Sequence, residues 1–380
     1  MYYFDNAATT VQKPQQVANA VYEALSSQTL GNPSRGAHEY SLNAYRHVSQ
    51  ARELIKQLFH AGPEYTVAFM HNSTMALNVV LKGMLHHGDH VLTTTWEHNA
   101  VLRPLYELED KGIAVDFIGS SPITGALHYE ELEQKVRPQT KLLVCNHASN
   151  VTGNVLDLDY IKRFCANHGL LLVLDVSQSA GTYPIDLSDG IVTAACFTGH
   201  KSLYGPGGTG GICLKQVLSI APLITGGDGV HSFSHTQPQG LPGVLEAGTA
   251  NVAGIVGLAA GVQYILDTTV ETMMKKQERL AAIFTEGVRT IDNLTLYGDF
   301  SRPRVGVFAI NIGDAESAVV SDILWEEFQM ATRSGYHCAP LIHEVLGTAA
   351  RGAVRFSFSS FTDDESVRCA VEALKNIAKR

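Results

Sequence analysis

No stretch of this 380-residue chain approaches the ~20 consecutive apolar residues that a membrane-spanning helix needs. A block rich in lysine and arginine is missing too. With a formal charge of −9, the electrostatic footprint of a nucleic-acid binder is absent and a polyanionic substrate is disfavoured, so no nucleic-acid or membrane partner is expected. The amino-terminal run MYYFDNAATT has neither the basic start nor the apolar segment of a secretory signal, which predicts a cytoplasmic protein. The six cysteines show no paired CxxC spacing. Five of them, Cys145, Cys165, Cys196, Cys213 and Cys369, are expected as small buried hydrophobes. There is no HExxH motif, and His86, His87 and His90 surround a Gly88-Asp89 turn, so no metal is expected.

What is present is a chain that is 45% hydrophobic and only 17% charged, enough to bury a large core and to build two domains. Between residues 14 and 215, apolar strand-like runs alternate with amphipathic stretches, the pattern of strands joined by crossover helices. Strands are predicted at Tyr65–Met70, His90–Thr95, Ala114–Ile118, Lys141–Asn146, Leu170–Asp175, Val192–Thr198 and Gly210–Leu214. The fold class is therefore α/β, a large domain with a mostly parallel seven-stranded sheet flanked by helices and a smaller α/β domain. Pro14 is placed to open a helix carrying Val17, Val21 and Leu25, and Asp157 or Asp159 to cap one carrying Ile161 and Phe164. Residues 226–244 lack apolar periodicity and read as a long surface excursion. Helices follow at Asn251–Asp267 and Glu271–Ile291, then strands near Val305–Ile312 and Val354–Phe358. The expected division is 14–265 for the large domain, with 1–13 and 266–380 forming the small one.

Several strand ends carry chemistry. Lys201 closes the segment Thr198-Gly199-His200-Lys201 and is followed by a glycine-rich turn. A lysine there is either an ordinary surface residue or one that reaches a crevice to form an imine with pyridoxal phosphate. GPGGTG at 205–210 satisfies GxGxxG spacing but leads into the strand-like GGICL, so its glycines are read as a tight turn and not as a dinucleotide site. Asp175 ends an apolar run where open α/β sheets place ligand contacts; it either holds a pyridine nitrogen protonated or caps the next helix. Gln178 is a candidate for the ring oxygen. Ser73 and Thr74 begin a helix whose amides and hydroxyls suit an anion such as the cofactor phosphate, or form a plain cap. His98 is a candidate to stack on a flat ring. Cys338 stands apart from the other cysteines, in the polar loop RSGYHCAP. That setting predicts exposure, with His337 and Arg333 favouring its thiolate. Arg333 and Arg355 are candidates for a two-pronged contact with a substrate carboxylate.

The segments FDNAATT (4–10), NPSRGAHEYS (32–41), NSTMALN (72–78), EHNA (97–100), SNVTG (149–153), LDVSQ (174–178), TGHK (198–201), LEAGTAN (245–251) and RSGYHCAP (333–340) together resemble the class V aminotransferase-like, fold-type I pyridoxal phosphate enzymes. Within them the chain is most similar to the cysteine desulfurases, of the group that includes the sulfur-mobilising and selenocysteine lyase types. This resemblance implies pyridoxal 5'-phosphate on Lys201, with Asp175 at the ring nitrogen, Gln178 at the ring hydroxyl and His98 stacked on the ring. It implies Thr74, Thr198 and His200 at the phosphate, joined by Thr249 of a second subunit in a homodimer. Asn150 and Arg355 would hold the substrate carboxylate with Arg333 close by, and Cys338 would take sulfur from L-cysteine as a persulfide and leave L-alanine. A sulfur-acceptor protein is then expected, for example in iron-sulfur cluster assembly. The HCAP form resembles the second group of these enzymes. Tyr336 stands where a second histidine is common, and Thr198 where serine is frequent. Selenocysteine lyase acting on L-selenocysteine and a plain transaminase are the alternatives.

Overall fold

The structure is a computed structural model that describes residues 1–34 and 36–380; Arg35, within the segment 32–41 quoted above, lies outside the described residues. In chain order the elements begin with β1 (Tyr2–Tyr3), α1 (Gln15–Ser26), α2 (Glu39–Leu58), β2 (Tyr65–Met70), α3 (Ser73–Met84), β3 (His90–Thr94), α4 (Asn99–Glu109) and β4 (Ala114–Ile118). Next come α5 (Glu131–Lys135), β5 (Thr140–Asn146), α6 (Leu158–His168), β6 (Leu171–Asp175), β7 (Val192–Thr198) and β8 (Gly210–Lys215). The remainder comprises α7 (Val252–Thr268), α8 (Val270–Val288), β9 (Leu294–Tyr297), β10 (Val307–Ile312), α9 (Ser317–Phe328), β11 (Met330–Ala331), α10 (Pro340–Val345), β12 (Val354–Ser357) and α11 (Asp364–Ala378).

Seven strands form one sheet in the order β2-β8-β7-β6-β5-β3-β4. The pairs from β7 to β4 are parallel, while β8 runs antiparallel to both its neighbours, which leaves β2 parallel to β7. Alternate side chains feed two cores. Leu142, Val144, Val173, Ala194 and Cys196 pack on one face, and Leu143, Cys145, Leu172, Leu174, Ala195 and Phe197 on the other. Both faces are covered, which is why the central strands read as continuous apolar runs instead of alternating ones. Gly208 adopts φ +75 in the turn into β8, and a Cβ at Gly210 would stand 2.7 Å from the Phe197 carbonyl oxygen. The glycines of GPGGTG thus serve a turn and a close strand approach.

A second, antiparallel sheet has the order β12-β10-β9, and β1 pairs in parallel with β11, returning the amino terminus to the carboxyl-terminal region. Its core centres on Phe284, which lies 4.9 Å from Phe308 and 5.2 Å from Phe356 between ring centroids, with Phe4 and Phe358 alongside. Each fully buried ring of this kind stabilises the fold by roughly 1.5–3 kcal/mol. The strands β1, β9 and β11 were not expected from sequence, and α1 differs from its expectation in one respect. Val17 is buried, but Leu25 is 71% exposed, because eight residues at 3.6 per turn carry it about 80° round the helix from Val17. Asp157, not Asp159, caps α6, accepting from the Tyr160 amide at 3.0 Å. Among the described residues no single helix is long and apolar enough to cross a membrane.

Candidate active site

Five strands deliver their carboxyl ends to one edge of the large sheet: β2 leads to Ser73 and Thr74, β3 to His98, β5 to Asn150, β6 to Asp175 and β7 to Lys201. This edge is where open α/β sheets bind ligands. Lys201 is deeply set, and loss of solvation pushes its amine down to about 8, against the pull of Asp175 and with help from Arg355 and Arg333. Asp175 is buried and accepts from the Ser177 amide at 2.9 Å and the Ser177 hydroxyl at 2.5 Å. It therefore turns the chain after β6 and also faces Lys201. His98 caps α4, accepting from the Ala100 amide at 3.0 Å, and burial followed by the charge of Lys201 lowers its imidazole to about 4. It is thus a neutral ring with Nδ1 as acceptor.

Other predicted residues are placed as follows. Asn72, and not Ser73 or Thr74, is the N-cap of α3, accepting from the Met75 amide at 2.9 Å. Ser73 and Thr74 fall in its first turn. Thr198 is buried, and its hydroxyl has no hydrogen-bond partner among the described residues. His200 pairs through Nδ1 with the Thr9 hydroxyl at 3.0 Å and is lowered to about 4 by burial, then by Lys201 and Lys13. Gln178 donates to the Ala7 carbonyl at 3.1 Å. Thr249 is exposed on the wall of a cavity of about 590 Å³ that also includes His71, Met75 and Gly210.

A second cluster of polar groups is built around Arg355. Its Nη2 meets Asp5 Oδ1 at 2.9 Å, its Nη1 donates to the Asn150 carbonyl at 3.2 Å, and its Nε is buried without a partner among the described residues. Burial lowers the guanidinium pKa, while Asp5 and Cys338 counter that effect, so Cys338 lies within the field of Arg355. Arg333 is exposed and bonded backbone to backbone with Arg355. Asn150 donates to the His337 carbonyl at 2.8 Å and leaves Oδ1 without a partner among the described residues. Cys338 is exposed as expected. His337 does not act as the expected cation beside it: burial, then Arg355 and His343, hold its imidazole well below the usual range, so it is neutral. Of the five cysteines expected to be buried, Cys369 is only half-buried and receives a bond from the Tyr2 hydroxyl at 3.4 Å.

Residues 2–369 match the family described as aminotransferase class-V. The chain belongs to the class-V aminotransferase family. It is 30% identical over 382 residues to a protein of Methanothermobacter thermautotrophicus named probable cysteine desulfurase, covering 99% of this chain and 94% of that one. A Pyrococcus abyssi protein of the same name is 30% identical over 389 residues, covering 99% and 94%. Among solved structures, the apo cysteine desulfurase of Thermococcus onnurineus NA1 superposes with a TM-score of 0.91 at 28% identity, covering all of this chain and 94% of that one.

This class-V chain also uses residues that its sequence did not single out. Asp5, within FDNAATT, is the partner of Arg355, and Thr9 from the same segment holds His200. Glu97 is fully buried behind His98, accepting from the Thr94 hydroxyl at 2.6 Å and the Asn146 amide at 3.1 Å, which ties the end of β3 to that of β5. Desolvation pushes its carboxyl up to about 8. His86, His87 and His90 do not converge. His90 bonds Thr140 at 2.7 Å, and among the described residues no group of three or more His, Cys, Asp or Glu could hold a metal ion.

Proposed function

We propose that the chain is a pyridoxal phosphate-dependent cysteine desulfurase that converts L-cysteine to L-alanine and receives the sulfur on Cys338. The observation that carries this reading is that Asp175 and Lys201, at the ends of the paired strands β6 and β7, share one sheet edge with Asn150, whose carbonyl accepts from Arg355 and whose side-chain amide donates to the His337 carbonyl beside Cys338. The unpartnered buried atoms fit the cofactor and substrate, since Thr198 Oγ1 suits a phosphate oxygen and the Arg355 Nε–H a substrate carboxylate.

Pyridoxal phosphate, when bound, supplies an electron sink conjugated to the α-carbon of the substrate. Lys201 carries it and, with its amine near 8, is poised to give and take protons at neutral pH. Asp175 would hold the proton on the ring nitrogen, Gln178 would bond the ring hydroxyl, and the neutral His98 would face the ring. Ser73, Thr74, Thr198 and His200 would hold the phosphate, with Thr249 contributed by the second subunit of a homodimer. Arg355 and Asn150, with Arg333 near the loop, hold the substrate carboxylate. The Cys338 thiolate attacks the substrate sulfur; an S–S bond forms as the Cβ–S bond breaks, and the bonding pair stays with carbon, which is protonated to the methyl of alanine. The exposed persulfide is then open to a sulfur-acceptor protein, for which iron-sulfur cluster assembly in the cytoplasm is one setting. Residues 14–265 form the cofactor-binding domain, and 1–13 with 266–380 the domain that carries the cysteine loop.

The test is to incubate the holoenzyme and its Cys338→Ala variant with L-cysteine and a thiol reductant, and to quantify alanine and sulfide. Equal amounts from the wild type and neither from the variant support the reading. Activity of the variant on L-selenocysteine alone would mark a selenocysteine lyase, and no alanine from either enzyme would end the desulfurase reading.

A further inference from the structure

His337 and Cys338 are consecutive non-glycine residues in the left-handed region, with φ 52 and 55. Such a pair is unfavourable on its own, so the surroundings must hold it. On the backbone, Asn150 Nδ2 donates to the His337 carbonyl at 2.8 Å and the Asn99 amide to the Cys338 carbonyl at 2.7 Å. On the side chain, a line of polar groups runs away from the site. His337 Nε2 lies 3.1 Å from the Arg333 carbonyl, His337 Nδ1 lies 3.2 Å from His343 Nε2, and His343 Nδ1 lies 2.7 Å from the Thr348 hydroxyl.

The direction of every bond in this line is fixed. A carbonyl only accepts, so His337 Nε2 carries the hydrogen, and in a neutral ring Nδ1 must then accept. His343 Nε2 is therefore the donor, and its own Nδ1 accepts from Thr348. Both rings are buried and their planes lie within 25° of each other. The charged and titratable groups facing them are Arg355 from β12, Arg333 from the preceding segment and the Tyr336 ring, which meets His343 edge-on at 5.8 Å; Asp5 offsets Arg355. Burial, and then Arg355, opposes any added proton on either ring, with Arg333 adding to this at His337, so the line persists in its neutral form.

We propose that His343 is a positioning residue for Cys338: by donating to His337 it fixes the left-handed His337–Cys338 pair and thereby sets where the thiol stands over the substrate. The inference rests on the reading of Cys338 as the sulfur-accepting residue. His343 itself touches neither substrate nor cofactor in that reading. His343→Leu leaves the buried His337 Nδ1 without a donor, whereas His343→Gln returns an amide N–H close to the position of Nε2. Thr348→Val removes the hydroxyl that donates to His343 Nδ1 and leaves that buried nitrogen without its partner.

The experiment compares cofactor-loaded wild type, His343→Leu, His343→Gln and Thr348→Val by steady-state alanine release from L-cysteine and by amide hydrogen exchange across residues 334–346. His343→Leu is expected to lower kcat by about tenfold or more while KM stays within about twofold, and to speed exchange in the loop; His343→Gln is expected to recover most of both. A kcat for His343→Leu within about twofold of wild type, or equal impairment of the Leu and Gln variants, would overturn the proposal. If the Leu variant does not fold, Thr348→Val decides: slower turnover than wild type supports the line of bonds, and unchanged turnover refutes it. If wild type releases no alanine, the desulfurase reading fails, and exchange alone judges His343. Faster exchange in Leu but not in Gln then upholds positioning, and equal exchange rejects it.

Discussion

Arg355 on β12 is ion-paired with Asp5 of the amino-terminal FDNAATT segment at 2.9 Å, and both backbones are tied to neighbours in the same wall of the site. The guanidinium also reaches the Asn150 carbonyl, so three separate parts of the chain meet on one side chain. A lysine ammonium cannot span these partners and a substrate carboxylate together. Arg355→Lys is expected to raise KM for L-cysteine by about tenfold or more with a smaller effect on kcat. Asp5→Asn leaves a buried cation less compensated and should lower unfolding stability by about 2 kcal/mol or more. Steady-state kinetics and denaturant titration check the two outcomes; an unchanged KM in Arg355→Lys would remove Arg355 from the substrate site.

Lys201 predicts how the cofactor is taken up. An amine attacks an aldehyde only when neutral, and burial lowers the pKa of this one to about 8. After the cofactor is stripped, the rate of reloading with pyridoxal phosphate should rise with pH through a midpoint near 8 and level off above it. Followed by imine absorbance, a midpoint near the ordinary lysine value would contradict the assignment. Lys201→Ala should show no imine band and release no alanine.

Glu97 predicts a pH dependence of stability. Its carboxyl is held neutral in the fold up to about 8, whereas in the unfolded chain it ionises near its ordinary value of 4.5. Between those limits the unfolded state binds fewer protons than the folded one, so stability is fully present below pH 4.5 and is lost as pH rises towards 8. Glu97→Gln keeps the acceptor for Thr94 and Asn146 without the titration. The difference between the two proteins should move in favour of Gln by on the order of 4 kcal/mol from pH 5 to pH 9. Denaturant titrations across that range measure it, and parallel curves would show that Glu97 titrates normally.

The strands that the sequence revealed are the ones whose pairing is written in their own residues. Tyr65–Met70, Ala114–Ile118 and Val192–Thr198 agree with expectation at both ends, and β3, β5, β6 and β8 differ by one residue at one end. Buried parallel strands demand apolar runs, and such runs are visible locally. The two-residue strands β1 and β11 owe their existence to a partner more than 300 residues away, which no local pattern announces. The same division holds in the site. Lys201, Asp175 and Cys338 stand out by position at strand ends or by an unusual loop. Asp5, Glu97 and His343 do not, because acids and histidines are ordinarily solvated, and their roles follow only from burial and from partners brought together by the fold.

The central claim is that sulfur passes to Cys338, and the most direct measurement is to find it there. Holoenzyme treated with L-cysteine in the absence of reductant, then alkylated and digested, is examined by mass spectrometry for the peptide that contains Cys338. One added sulfur atom on Cys338, sensitive to reductant and formed together with alanine, is the predicted result. Alanine formed with no sulfur on Cys338, or with the sulfur carried by Cys369 or one of the buried cysteines, would contradict it.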